Sequence, residues 1–358
     1  MRRHRAARLP IAMAGLFLLA TGAQAEEIDL AGPWAFQLDP LDQGVDQAWF
    51  ERVLADAVRL PGSLQQQGFG DEVSVDTSWT GNIVDRSWFE SPRYERFRQA
   101  DNVKIPFWLQ PKKHYVGPAW YQRTIDLPEA WHSKRVTLHL ERPHWETTVW
   151  LDGQRIGSEN SLSTPHVYDL GQSIRPGTHR LTVRVDNRLK DVDVGVNSHS
   201  ISDHTQSNWN GIVGRMFLET SDRVWIDDVQ VFADPETRSA RMEVTLGNAP
   251  AAAARGTLTL DAALDGTSPH DPPGVTYDLE FKGSRATVSL DYPLGDEVRT
   301  WDEFHPAVYR LAVRLEGDAD GTAFRDETSV GFGVRRLLTV RSLIGCGSGR
   351  RGGADGLA

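Results

Sequence analysis

The chain reads as an all-β protein of two consecutive sandwiches, and three observations predict this. Segment after segment alternates apolar and polar residues with period two, the signature of half-buried strands. Turn dipeptides fall between those segments. Helical periodicity is nearly absent. The alternating runs are Trp120–Leu127, Arg135–Leu140, Thr147–Leu151, His179–Val185, Val224–Phe232, Ala240–Leu246, Gly256–Leu260, Val275–Phe281, Arg285–Leu290 and Val308–Leu315. The turns are Asp152-Gly153, Pro176-Gly177, Gly247-Asn248, Asp265-Gly266 and Asp320-Gly321. The spacing predicts one short helix, around Asp46–Ala55, with Trp49, Phe50, Val53 and Leu54 sharing a face.

A boundary is expected near Ala233-Asp234-Pro235. Residues 26–233 then form a first domain, in which long Trp-rich loops interrupt the strands. Residues 234–332 form a second, whose compact, evenly spaced strands predict an immunoglobulin-like sandwich. The stretch Gln65–Gly117 is long and rich in Trp, Phe, Tyr, Pro and Arg. A loop of that length is expected to be functional or ordered against something else.

The N-terminus carries a secretory signal. Arg2, Arg3, Arg5 and Arg8 precede the short apolar run Ile11–Ala20, and Ala23-Gln24-Ala25 is a small-residue cleavage site. Cleavage after Ala25 predicts a periplasmic or secreted product. The apolar run is too short to span a bilayer, which takes about 20 residues. The single cysteine, Cys346, excludes an intramolecular disulfide and a cysteine-based metal site. The net charge of −10 argues against a nucleic-acid partner. No phosphate-binding glycine loop or clustered metal ligands occur, so no cofactor and no metal are expected. Residues 333–358 change character: Arg335, Arg336, Arg341, Arg350 and Arg351 crowd a glycine-rich tail with one acid, Asp355. That tail is expected to mark a frameshift or truncation.

Several pieces, in order, resemble the N-terminal portion of a family 2 glycoside hydrolase of the β-galactosidase and β-glucuronidase type. They are Leu30-Ala31-Gly32-Pro33-Trp34, Arg59-Leu60-Pro61-Gly62-Ser63, Ala119-Trp120-Tyr121-Gln122-Arg123 and the strand–turn–strand Val149–Gly157. Thr164–Leu170, Val183–Asn187, Trp209–Arg215, Pro306–Leu311 and Val330-Gly331-Phe332 come after them. The resemblance implies a jelly-roll sugar-binding domain, then the immunoglobulin-like sandwich, then a catalytic TIM barrel. In that family the barrel supplies two glutamates about 5–5.5 Å apart for a retaining mechanism. The acid/base glutamate comes directly after an asparagine there. This sequence has no Asn-Glu dipeptide and no alternating strand–helix pattern, so no catalytic residue is assigned and the chain alone is expected to be inactive.

The resemblance also points to substrate contacts from the jelly roll. Asp169 occupies the position of an aspartate that reaches the active site in the β-galactosidases, and Trp209 and Asn210 match a loop near the barrel mouth. Trp79, Asn82, Asp85 and Trp88 add the mix of flat apolar walls and directed polar groups that a sugar site wants. Asp169 could equally cap a turn before Gly171. His199, Asp203 and His204 have no strong zinc spacing and read as a solvated loop. The implied partner is a carbohydrate: a β-galactoside, a β-glucuronide or a plant polysaccharide side chain. A missing TIM barrel is a second implied partner. The alternative function is a stand-alone carbohydrate-binding protein.

Overall fold

A computed structural model describes residues 26–80, 86–105, 111–172, 174–190, 202–203, 208–249, 251–266 and 270–336. Among these residues the chain is all-β and divides into two compact units. The first runs to Trp225 and takes in short returns at 248–250 and 324–326; the second holds most of the chain from Ile226 onward. The division falls inside one strand, Val224–Asp234, a few residues before the Ala233–Pro235 turn chemistry. Residues 1–25, expected to be a signal segment, and residues 337–358 of the expected tail 333–358 lie outside the described residues.

The first unit is a jelly roll of two antiparallel sheets. Its strands are β1 (Glu27–Asp29), β2 (Gly32–Leu38), β3 (Asp56–Leu60), β4 (Gly62–Ser63), β5 (Asp71–Glu72), β6 (Lys113–His114) and β7 (Pro118–Leu127). After them come β8 (Arg135–Pro143), β9 (Glu146–Leu151), β10 (Gln154–Asn160), β11 (His166–Gly171), β12 (Gly177–Asp186) and β13 (Gly211–Ser221). One sheet runs β10-β9-β12-β7-β2-β3. The other runs β1-β13-β8-β11, and β4 pairs with the first residues of β13. Strands β5 and β6 form a small ribbon within the long loop.

Period-two alternation places Leu138 and Leu140 of one sheet, and Leu181, Val183 and Val185 of the other, in a shared core with no exposed surface. Burying each such side chain contributes roughly 1.5–3 kcal/mol. The segment after β2 lays Trp49 and Leu54 against Trp120 and Trp150 to make a smaller second cluster.

The helix expected at Asp46–Ala55 does not form. Only a 3₁₀ turn, Trp49–Glu51, is present, because Ala48 sits in the left-handed region at φ 50° and breaks the α-helical path. Trp49 is buried as expected, but Val53 is 72% exposed. Among the described residues, three helical pieces lie instead in the long loop: a 3₁₀ turn, Gln65–Gln67, α1 (Ser87–Glu90) and a 3₁₀ helix, Pro92–Phe97.

The second unit is an immunoglobulin-like sandwich. Its strands are β14 (Val224–Asp234), β15 (Ser239–Asn248), β16 (Ala254–Leu264), β17 (Val275–Phe281), β18 (Arg285–Pro293), β19 (Tyr309–Ala319) and β20 (Thr322–Phe332). They form sheets β14-β15-β18 and β17-β16-β19-β20. Alternation again sets the core: Met242, Val244 and Leu246 on β15 and Leu311, Val313 and Leu315 on β19 are fully buried. Among the described residues no helix is long and apolar enough to cross a membrane.

Candidate functional site

At one end of the jelly roll the long loop 64–117 meets the segment directly after β12. The join is made by buried polar side chains. Asn187, the first residue beyond β12, accepts from the Gly117 N–H at 2.9 Å through Oδ1. Its Nδ2 donors are shared among Tyr115 O, Trp209 O and Asn208 Oδ1 at 2.9–3.1 Å. Asn208 gives its backbone N–H to Asp203 Oδ1 at 2.7 Å. Its amide donates to Asn187 O at 3.0 Å and Thr80 Oγ1 at 3.2 Å.

Asp203 is the centre of this join. Its Oδ2 accepts the Thr80 N–H at 2.6 Å and lies 3.4 Å from His114 Nε2. Its own N–H donates to Thr80 O at 2.9 Å. Asp203, Asn187 and Asn210 have no exposed surface. The solvated-loop expectation therefore does not hold for Asp203: a buried carboxylate persists because N–H groups on two loops satisfy it. His199 and His204 lie outside the described residues, as do Asn82 and Asp85.

Asn210 has every side-chain polar group satisfied internally. Its Nδ2 donates to Gly117 O and Val185 O at 2.9 and 3.0 Å, and its Oδ1 accepts from Tyr121 Oη at 2.9 Å. It holds the loop in place and leaves no open atom for a ligand. Gly211 is next in the chain at φ +145°, where an added Cβ would stand 2.3 Å from Gly62 O. Only glycine lets β13 start this close to β4.

Two aromatic rings come out of this frame half-exposed. Trp209 stacks on His144 with centroids 4.3 Å apart and planes 12° apart. Trp79, next to Thr80, meets His114 edge-on at 5.0 Å. The join thus ties the candidate residues Trp79, Trp209 and Asn210 into one local frame. Trp88 is buried, so it is an anchor of the long loop rather than a free wall.

His144 is buried, and that burial depresses its pKa to about 4 against the opposing hydrogen bond with Asn208. A neutral imidazole therefore lies under Trp209 at neutral pH. At the end of β12, Asp186 is also buried and gathers Arg184, Arg188 and Lys190 at 2.7–3.0 Å. Burial alone would raise its pKa, but hydrogen bonds from Arg188 and the neighbouring cations outweigh that and hold it at about 2. Asp42 and Glu146 balance the same cations.

Asp169 is elsewhere. It pairs with Thr137 on β8, whereas the Trp209 loop enters at Pro143 through Ile212. Six residues of strand separate those positions, about 20 Å. Its Oδ2 takes the Arg135 Nε–H at 2.8 Å and its Oδ1 takes the Gly171 N–H at 2.9 Å, which is the turn-capping arrangement. His114, His144, Asn187, Asn208 and Asp203 form most of the join, and sequence reasoning assigned a site role to none of them. Their partners are up to 128 residues away, so no local spacing signals them.

Chemically, the arrangement offers flat rings on a rigid polar base and no nucleophile–base pair. Among the described residues no group of three or more His, Cys, Asp or Glu could hold a metal ion.

Comparison with known proteins places residues 72–221 in the family described as glycosyl hydrolases family 2, sugar binding domain. The β-galactosidase large subunit of Leuconostoc lactis is 23% identical over 299 residues, covering 81% of this chain and 44% of that protein. The β-glucuronidase of Paenibacillus borealis is 20% identical over 332 residues, covering 88% of this chain and 47% of that protein. Among solved structures, Bacteroides uniformis β-glucuronidase 2 superposes with a TM-score of 0.60 at 16% identity over 87% of this chain and 33% of its own. Ruminococcus gnavus β-glucuronidase superposes at 0.57, 16%, 87% and 45%. The chain spans less than half the length of these relatives.

Proposed function

We propose that this chain, which belongs to the family 2 glycosyl hydrolases through its sugar-binding domain, is the sugar-binding and scaffold portion of a retaining exo-glycosidase. The substrate class is a β-galactoside or a β-glucuronide. The observation that carries this reading is the pair of half-exposed rings, Trp79 and Trp209, held on a buried polar frame inside the matched domain. Pyranose C–H faces pack on such rings as other apolar groups do. Asp203, Asn208 and Asn210 act as positioning residues, and Asp169 belongs to a separate part of the surface.

By this reading the catalytic glutamates come from a barrel, and these residues alone do not turn over substrate. The test uses the purified chain with nitrophenyl β-galactoside and β-glucuronide, and calorimetry with galactose and glucuronate. No turnover, with sugar heat lost in Trp209→Ala, supports the reading. Turnover by the chain itself, or no heat with any sugar, sinks it. The half-exposure of Trp79 and Trp209 also suits a stand-alone carbohydrate-binding protein. That reading gains if binding is tight and no barrel fragment restores hydrolysis. Periplasmic or secreted placement belongs to the same proposal, and a mature product starting at Glu26 on N-terminal sequencing would support it.

A further inference from the structure

The segment Arg86–Ile105 is a basic, aromatic island in an acidic chain. It holds five cations against three carboxylates, while the whole chain carries −10. Three of its guanidiniums lie on aromatic rings: Arg86 on Phe89 at 4.9 Å, Arg93 on Tyr94 at 5.6 Å and Arg96 on Phe97 at 4.6 Å. Arg93 and Arg96 stand three residues apart on the 3₁₀ helix Pro92–Phe97, and so do Tyr94 and Phe97. Side chains at that spacing eclipse one another on a 3₁₀ helix, with their anchors about 6 Å apart. The result is a row of guanidiniums beside a row of rings.

The island is built rather than loose. Trp88 is buried beneath it. Arg98 donates to the carbonyls of Trp88 and Ser91, and Ser91 Oγ accepts the Arg93 N–H at 3.3 Å. Asn102 Nδ2 holds Arg96 O at 2.8 Å. Arg86 is paired with Glu90, but among the described residues Arg93 and Arg96 have exposed side chains and no ion-pair partner. A guanidinium lying on a ring keeps its N–H edge free, and that edge fits a carboxylate in two-point fashion.

From this geometry we infer a second carbohydrate surface, formed by Arg93, Arg96, Tyr94 and Phe97, that binds a polyuronate glycan. Such a polymer presents planar carboxylates and pyranose faces side by side, which matches the two rows. This goes beyond the sugar contacts at Trp79 and Trp209 and does not depend on them, because their test uses single sugars.

The test is affinity electrophoresis of the full-length chain in gels containing polygalacturonate, neutral dextran or polyglutamate. Polygalacturonate should retard the chain, and the Arg93→Gln/Arg96→Gln variant should bind it about tenfold more weakly, as expected for two exposed charge-assisted contacts. Arg255→Gln, an exposed substitution in the second unit, should bind like the parent, and all three proteins should melt alike. No retardation of the parent, equal retardation of the double variant, equal loss in Arg255→Gln, or retardation by polyglutamate matching that by polygalacturonate would each overturn the inference.

Discussion

At the scale of single residues, burial decides the chemistry of the join. His144 lies under Trp209 with its pKa held near 4, well below the 6.5 of a free imidazole. Between those values the unfolded chain binds a proton that the folded chain refuses. The stability from a neutral His144 is therefore complete above about pH 6.5 and is lost as pH falls toward 4. An NMR titration should place its midpoint near 4; a midpoint at 6 or above would show that the ring is open to water. Asp186 has the same sign. Its folded pKa of about 2 lies below its unfolded value of 3.8. It contributes about 2 kcal/mol above pH 4, lost as pH falls toward 2. Asp186→Asn should flatten the acid limb of a stability-versus-pH curve. The tryptophans teach a related lesson. Among the described residues seven of them are buried, so they pack the fold rather than face a ligand.

At the scale of elements, two close approaches hold the loops to the sandwich. Gly211 lets β13 begin against β4, and any side chain there strikes the Gly62 carbonyl. Gly211→Ala should cost about 1–3 kcal/mol from backbone strain alone, read as a lower denaturant midpoint at unchanged slope. Asp203 joins the long loop to the segment after β12. Asp203→Ala leaves the Thr80 and Asn208 N–H groups buried and unpaired, at about 1–3 kcal/mol each. Hydrogen exchange should then quicken around Thr80 and His114 while β12 stays protected. If exchange there does not change, Asp203 does not hold the loop. Strand positions were legible because period-two alternation arises from the pleat itself. The helix at Asp46–Ala55 misled because four apolar residues at helical spacing also fit a 3₁₀ turn leading into extended chain.

At the scale of the whole molecule, the two units each close their own core, and the chain spans less than half the length of the relatives it matches. The proposed function implies a barrel partner, and docking it would require an apolar face on this chain. Exposed apolar patches above a few hundred Å² favour association. We expect the purified chain to form oligomers at high concentration, and a clean monomer by light scattering would count against such a surface.

The sequence by itself determined the all-β class, the order of two sandwiches and the family resemblance. Alternation, turn chemistry and the order of short motifs are properties of neighbouring residues, and they survive without knowledge of contacts. Only the tertiary structure decided which polar residues meet. It buried Asp203, satisfied Asn210 internally, set His144 beneath Trp209 and left Asp169 about 20 Å away along the sheet. The physical reason is that a strand's face is fixed by its own pattern, whereas a buried hydrogen bond depends on a partner that folding brings from a distant part of the chain.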